Sequence, residues 1–265
     1  PIPSGGGIVF VLVCSIFSLF FGYWRNLFCL PLAIVGFADD NFELPMSLRY
    51  LTQTFTVTLL IFNSFSLSKF VGELDATIAI LFIIFLIIGS TAVINFTNFM
   101  DGIDGIICGC MIVIFAHYSY MYNPTFWPLV ASLFAFLFWN WSPAKVFMGD
   151  VGSTFLGAIL VGIILDSKSI NDALSLLLIA SPILGDACIC VIRRKFYGYQ
   201  IFKAHKKHLY QRLVMAGISH SKVSILYIIS TLILSISYIL GGINYLLIFT
   251  FAIFLLGLLL DRKIA

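Results

Sequence analysis

Asn95-Phe-Thr-Asn-Phe-Met-Asp-Gly-Ile-Asp-Gly105 sets two amides and two carboxylates at three-residue spacing, directly behind a long apolar run. Hydrocarbon does not tolerate such a cluster unless something compensates it, because a polar group buried without a partner costs free energy. In a helix, Asn95, Asn98, Asp101 and Asp104 would form one slowly turning ridge and present four oxygen-bearing side chains to a common point. Such a ridge suits a divalent metal or a polyphosphate. Gly102 and Gly105 add a turn that permits positive φ and close approach of the backbone to a ligand.

The apolar run that delivers this ridge is one of many. The chain is 61% hydrophobic and 10% charged, with a mean hydropathy of +1.07, outside the range of soluble globular proteins. It reads as an all-α, polytopic membrane protein. Apolar stretches predict spans near 7–24, 27–38, 48–66, 76–95, 103–121, 126–141, 152–165, 173–192, 223–241 and 243–260, about ten transmembrane helices. Residues 1–265 form a single integral-membrane domain in this reading. Its one sizeable polar segment, 193–222, is a basic cytoplasmic loop. The start at Pro1, loop-like and with no basic n-region before an apolar h-region, leads to the expectation that a further N-terminal helix precedes it.

Basic residues in short loops stay on the cytoplasmic side. With the first residues inside, Arg49, Lys145, Arg193, Arg194, Lys195, Lys203, Lys206, Lys207, Arg212, Lys222, Arg262 and Lys263 fall inside, and only Arg25, Lys69 and Lys168 fall outside. The polar loops 39–50, 95–104, 142–153 and 193–222 then share the cytoplasmic face. The six cysteines all lie in apolar runs and include no C-x-x-C pair, so they read as small buried residues rather than a metal site.

Asp39 and Asp40 end the second predicted span, where adjacent carboxylates oppose the helix dipole and repel one another. Alone they could mark a water interface; beside the other acidic loops they need a shared counter-charge. Asp150 lies between two glycines in Met-Gly-Asp-Val-Gly-Ser-Thr, and Ser153-Thr154 open a helix whose free amides favour phosphate. Asp101, Asp104 or Asp150 could instead serve only as helix N-caps. An isolated aspartate at the bilayer centre costs about 2.5–3.5 kcal/mol, so these carboxylates belong at a wet interface. A hard cation such as magnesium, which prefers oxygen ligands and keeps waters, best relieves their repulsion. Ion pathways also use intramembrane acids, but a transporter would spread them through the bilayer instead of gathering them in loops on one side.

In the basic loop, Arg193, Arg194 and Lys195 follow the positive-inside pattern and suit anionic lipid. His205, His208 and Arg212 are spaced by three and four, one face of a helix with Gln211 beside them, and could clamp a sugar nucleotide's diphosphate. His205 and His208 have no third partner for zinc. His117, alone in an apolar span, reads as structural. Asp186, within the eighth span, is either functional, as intramembrane carboxylates often are, or paired at the bundle end.

Phe37-Ala-Asp-Asp40, Asn95–Gly105, Phe147-Met-Gly-Asp-Val-Gly-Ser153 and Ala204-His-Lys-Lys-His-Leu-Tyr-Gln-Arg212 together resemble the bacterial polyprenyl-phosphate N-acetylhexosamine-1-phosphate transferases, glycosyltransferase family 4. The four motifs come in that family's order, and their wording is similar to the branch that initiates O-antigen and related surface polysaccharides. The late loop reads His205-Lys-Lys-His208 where the peptidoglycan branch carries a histidine triplet, which argues against a muramoyl-pentapeptide substrate. Ser4 stands where relatives often have a basic residue.

The resemblance implies transfer of a sugar 1-phosphate from a UDP-N-acetyl sugar to undecaprenyl phosphate, with release of UMP, at the cytoplasmic face of the bacterial inner membrane. It implies Mg2+, with Mn2+ able to substitute, bound by Asp150 and Asn98. Asp39 and Asp40, with Asp101 and Asp104, would be catalytic. Asn95, Asn98, Asp101, Asp104, His205, His208 and Arg212 would contact substrate. The alternatives are a phospho-muramoyl-pentapeptide transferase and, in another class, an ion-coupled transporter. The lipid bilayer is a partner, nucleic acid is not expected, and relatives often form homodimers. Direct attack and a covalent aspartyl-phosphate route both stay open.

Overall fold

The computed structural model describes residues 2–198 and 207–264, and every regular element among them is helical. In chain order these are α1 (Ile8–Phe20), α2 (Leu30–Phe42), α3 (Met46–Phe62), α4 (Phe65–Gly72), α5 (Ala76–Met100), α6 (Ile106–Met121), α7 (Trp127–Asn140), α8 (Gly149–Leu165), α9 (Ile170–Ile179), α10 (Ser181–Phe196), α11 (Leu209–Met215) and α12 (His220–Ile264). Tight 3-10 turns precede α2 and α7. By length and composition two helices can cross a membrane, Ala76–Met100 and His220–Lys263, and up to four elements can if each bent pair counts as one span.

The departures from the expected spans have local causes. The span expected at 48–66 bends by 77° between α3 and α4, where Ser64 caps α4 through Leu67 N and donates its hydroxyl to Leu165 O at 2.7 Å. The span expected at 173–192 bends by 75°, and Pro182 starts α10 where its missing N–H costs nothing. The short span expected at 27–38 is a 3-10 turn followed by α2, and the one expected at 152–165 begins three residues earlier, at Gly149. α12 breaks at Gly241-Gly242, where Gly242 takes φ 62°, a conformation that suits glycine.

α8 is the central helix. Apart from Ile164 and Gly162, its side from Val151 to Leu165 is buried, against α1, α2, α3, α5 and α9. Lipid tails are as apolar as leucine, so small residues that let backbones approach supply much of the association. A Cβ on Gly7 would lie 2.4 Å from Gly152 Cα, and one on Gly36 would lie 2.6 Å from the Asp150 carbonyl. The first residues are stitched to the loop before α8 by Phe147 N to Pro3 O (2.9 Å), Gly6 N to Phe147 O (3.0 Å) and Gly7 N to Met148 O (3.0 Å). Farther along α5, Asn95 and Gln53 exchange both amide hydrogen bonds, at 2.8 and 3.1 Å, an interhelix pair of about 0.6–2 kcal/mol in a membrane.

The α2–α8 contact leaves no room for a larger side chain at Gly36. Gly36→Val should lower the thermal unfolding midpoint in detergent sharply or prevent recovery of monodisperse protein; an unchanged midpoint would show that the two helices separate freely.

Candidate active site

Three loops and the start of α3 converge at one end of α8. Asp40, near the end of α2, accepts Asp150 N at 2.9 Å and Val151 N at 3.3 Å, and the Ser4 hydroxyl also bonds to it. A carboxylate on a neighbouring helix therefore caps α8, where free N–H groups and the helix dipole favour negative charge. The phosphate expected at these amides meets Asp40 already bound to two of them. Gly149, at φ 71°, makes this possible, because a Cβ there would lie 2.2 Å from Asp40 Oδ2.

Asp39 uses one oxygen to accept Leu44 N at 2.7 Å, which fixes the turn after α2, where Glu43 adopts φ 48°. Its other oxygen pairs with Arg49 at 2.8 Å, and the same guanidinium reaches Asp150 Oδ2 at 2.9 Å. Asn98 completes the group. In the orientation its neighbours require, its amide donates to Asp150 Oδ1 (3.2 Å) and Ser153 Oγ (2.9 Å) and accepts from Arg49 (3.2 Å). One cation thus bridges two carboxylates and an amide from three helices.

The four-residue ridge does not survive folding. α5 stops at Met100, and Asp101 is its C-cap at φ −80°, ψ 47°. Asn98 and Asp101 face the cluster, whereas Asn95 is committed to Gln53. Asp104 turns the other way: its Oδ2 accepts Ala144 N at 3.2 Å and lies 3.4 Å from His220 Nδ1, and its carbonyl accepts Ser224 Oγ at 2.7 Å. Asn140 secures the same turn by accepting Gly105 N at 3.1 Å and donating to Val146 O at 3.0 Å. Desolvation, then the negative charges of Asp150 and Asp40, push the Asp101 carboxyl from its ordinary 3.8 up to about 7.

The basic loop supplies a buttress. Asp186 accepts Leu209 N (2.8 Å), Tyr210 N (3.2 Å) and the Tyr227 hydroxyl (2.7 Å), so it anchors the start of α11. Tyr210, fully buried, donates to Phe99 O at 3.0 Å and packs so closely on Gly102 that a Cβ there would lie 2.0 Å from its hydroxyl. His208 is buried against Tyr210 and Phe99. Burial, with the positive charge of Arg194, pushes it down to about 4, so at neutral pH it brings no charge to a diphosphate. Arg212 pairs with Asp261. His205 lies outside the described residues. His117 pairs with Ser235 at 2.9 Å, and the six cysteines are free thiols.

Arg49, Asn140, His220 and Tyr210 are not singled out as site residues by the sequence. Arg49 had a signal, a cation in the first turn of the helix following the Asp-Asp pair. The others are ordinary residues whose partners lie far away in the chain.

Comparison with known proteins shows the family of the chain. The signature of Glycosyl transferase family 4 matches residues 10–168. The phospho-N-acetylmuramoyl-pentapeptide-transferase of Lactobacillus gasseri is 31% identical over 275 residues, covering 89% of this chain and 83% of that one. The enzyme of that name from Thermoanaerobacter sp. (strain X514) is 28% identical, over 78% of this chain and 74% of its own. A probable undecaprenyl-phosphate N-acetylglucosaminyl 1-phosphate transferase of Bacillus subtilis is 26% identical, over 74% of this chain and 59% of its own. The chain belongs to glycosyl transferase family 4, the polyprenyl-phosphate sugar-1-phosphate transferases.

The raised Asp101 carboxyl binds its proton more tightly folded than unfolded. Its contribution to stability is therefore most favourable below about pH 4 and is lost as pH rises through about 7. In metal-free detergent solution Asp101→Asn should flatten the fall of the unfolding midpoint between pH 5 and 8. A slope identical to wild type would show that Asp101 titrates normally. Arg49→Gln, which leaves Asp39 and Asp150 without their cation, should cost about 1–3 kcal/mol, a partly exposed pair being worth less than a buried one. Chemical denaturation followed by tryptophan fluorescence would measure it.

Proposed function

We propose that this chain transfers an N-acetylhexosamine 1-phosphate from a UDP-sugar to undecaprenyl phosphate, releasing UMP, as the first membrane step of O-antigen or related surface glycan synthesis. The observation that carries this reading is the convergence of Asp39, Asp40, Asp101 and Asp150 around Arg49 and Asn98. Carboxylates gathered around one guanidinium suit a divalent cation that bridges to phosphate oxygens. In the reaction an oxygen of the lipid phosphate attacks the sugar-bearing phosphorus. The bond from that phosphorus to the bridging oxygen breaks, and the bridging oxygen leaves with UMP.

The lipid phosphate is already an anion, so its activation asks little, and the work is alignment and charge neutralisation. Asp39, paired with Arg49, orients the lipid phosphate and takes any proton it carries. Arg49 faces the diphosphate with a planar fork that suits phosphate oxygens. Asp40, tied to the α8 amides, keeps Asp150 in place. Asp101 shapes the nucleotide-sugar side, with Asp104 holding the turn against the loop before α8.

Asp150 and Asn98 would hold magnesium, with manganese able to substitute. The donor set fits, since both present oxygens and already attract a cation in the form of Arg49. Magnesium is usually bound by one or two carboxylates with waters and substrate phosphates. When bound, it neutralises the diphosphate and the departing UMP. The active site faces the cytoplasm in this proposal, and the helices form a multi-pass bundle in the inner membrane.

A second reading is a phospho-muramoyl-pentapeptide transferase, favoured by the names of two of the relatives above. The late loop, His205-Lys-Lys-His208 rather than a histidine triplet, supports the first. Purified protein given undecaprenyl phosphate and magnesium should release UMP with a UDP-N-acetylhexosamine and not with UDP-N-acetylmuramoyl-pentapeptide; the reverse preference would select the second reading. Asp39→Asn and Asp150→Asn should each reduce turnover at least about 1,000-fold while leaving the protein folded. Wild-type turnover in either folded variant removes that residue from its role.

A further inference from the structure

Arg49 lies in the first turn of α3 and Asn98 near the end of α5; they meet at 3.2 Å, and both reach Asp150. Gln53 and Asn95 repeat that contact one turn further into the bundle. Gln53 is about 6 Å along α3 from Arg49, and Asn95 about 4.5 Å along α5 from Asn98, so the two helices, running in opposite directions, carry two successive polar rungs. The inner rung is the more complete. Asn95 Nδ2 donates to Gln53 Oε1 at 2.8 Å and to Thr91 O at 2.8 Å, and Asn95 Oδ1 accepts Gln53 Nε2 at 3.1 Å. Both hydrogens of the Asn95 amide and its oxygen are therefore engaged, and Gln53 is only 2% exposed.

Two other constraints leave α3 one freedom. Its start is held by the turn after α2, where Asp39 accepts Leu44 N at 2.7 Å. α5 is seated on α8, since a Cβ on Gly157 would lie 3.0 Å from Ile94 Cα and 3.2 Å from Thr97 Cβ, and this seat fixes Asn98 relative to Asp150 and Ser153. Neither contact fixes the rotation of α3 about its own axis, and one residue of rotation, about 100°, carries the Arg49 guanidinium off Asp150. Apolar contact is non-directional and accepts several rotations. A reciprocal amide pair is satisfied in one. A single buried asparagine fixes register in coiled coils for the same reason, at a cost in stability.

We propose that Gln53 and Asn95 are positioning residues for sugar-phosphate transfer: their pair sets the rotation of α3 on α5 and thereby aims Arg49 at Asp150 and at the diphosphate. The inference rests on the transferase reading of the acidic cluster and deepens it. It assigns Asn95 to geometry in place of the substrate contact expected from sequence. Gln53 and Asn95 touch no reacting atom in this assignment and act through Arg49 and Asn98.

Two variants of the full-length protein separate positioning from plain support. Gln53→Leu with Asn95→Leu removes the pair but fills its space with apolar groups, so the unfolding midpoint in detergent should stay within a few degrees of wild type. With undecaprenyl phosphate and a UDP-N-acetylhexosamine, kcat of this variant should fall about 10- to 100-fold while KM stays within about threefold, because misaimed groups lose transition-state contacts before ground-state binding. The exchanged pair, Gln53→Asn with Asn95→Gln, keeps one amide on each helix and should restore kcat to within about threefold of wild type. A second readout needs no substrate. Arg49→Gln should lower the midpoint in the double-leucine background by about half as much as in wild type, or less, since the guanidinium is no longer held on its partners. Wild-type kcat in the folded leucine pair, or an undiminished effect of Arg49→Gln there, would overturn the proposal. So would a collapsed midpoint in the leucine pair, which would mark plain support, or an exchanged pair as slow as the leucine pair, which would return Asn95 to the substrate. If wild type turns over no UDP-sugar, the midpoint comparison decides alone, so failure of the transferase reading and failure of the positioning role are told apart.

Discussion

The contact between Asp40 and the first turn of α8 governs the geometry of the whole acidic site. Two backbone N–H groups that a helix cannot satisfy internally are satisfied by a carboxylate from another helix, and the dipole of α8 stabilises that charge. The contact exists only because Gly149 has no Cβ at a positive φ and Gly36 lets the two backbones meet. Once it forms, Asp39 and Asp150 both reach Arg49, and their separation is fixed by helix packing. A charged pair that would be poorly placed in a single span becomes the joint between two.

Arg49 then settles an electrostatic problem that no single loop can settle. Asp39 and Asp150 are drawn into a partly buried space where like charges repel strongly, and a planar guanidinium with several fixed donors can serve both at once. Asp101, deeper in the cluster and beside the charges of Asp150 and Asp40, responds by holding its proton more tightly. The charges of the site are therefore balanced largely by its own residues. A cation or a polyanion entering it changes charge balances that are already satisfied, instead of filling an indifferent cleft.

The Asp101–Gly105 turn is supported from two directions. Asn140, Ala144 and Ser224 hold its far end through Gly105 and Asp104, and Tyr210 braces its near end at Phe99 and Gly102. The second support depends on Asp186, whose three donors tie the basic loop to the bundle. Asp186 is thus an anchor, one of its two sequence readings, and its partners are two amides and a tyrosine. Histidine and arginine spaced along one helical face suggest a shared clamp from sequence, yet His208 is packed against aromatic rings and Arg212 turns to the last helix.

Much of the architecture was legible from composition alone, because a chain so poor in charge must place its polar groups at helix ends, and the polar motifs mark those ends. Asp39, Asp40, Asn98, Asp101 and Asp150 were legible as a group because carboxylates repeated beside glycine have no stable place inside hydrocarbon. The bends at Ser64 and Ala180 and the end of α5 at Met100 were not, since apolar periodicity continues across them. Asn95 and Asp104 share the spacing of their neighbours but point to Gln53 and to Ala144. The sequence by itself determined that the protein is helical, apolar and acidic at a few loops, since hydropathy and residue chemistry act locally. Only the tertiary structure decided that Arg49 would bridge Asp39 and Asp150, and that Asp40 would cap α8. Those partners lie up to 111 residues apart, and a hydrogen bond needs atoms within about 3 Å, a distance that helix packing sets and sequence spacing does not.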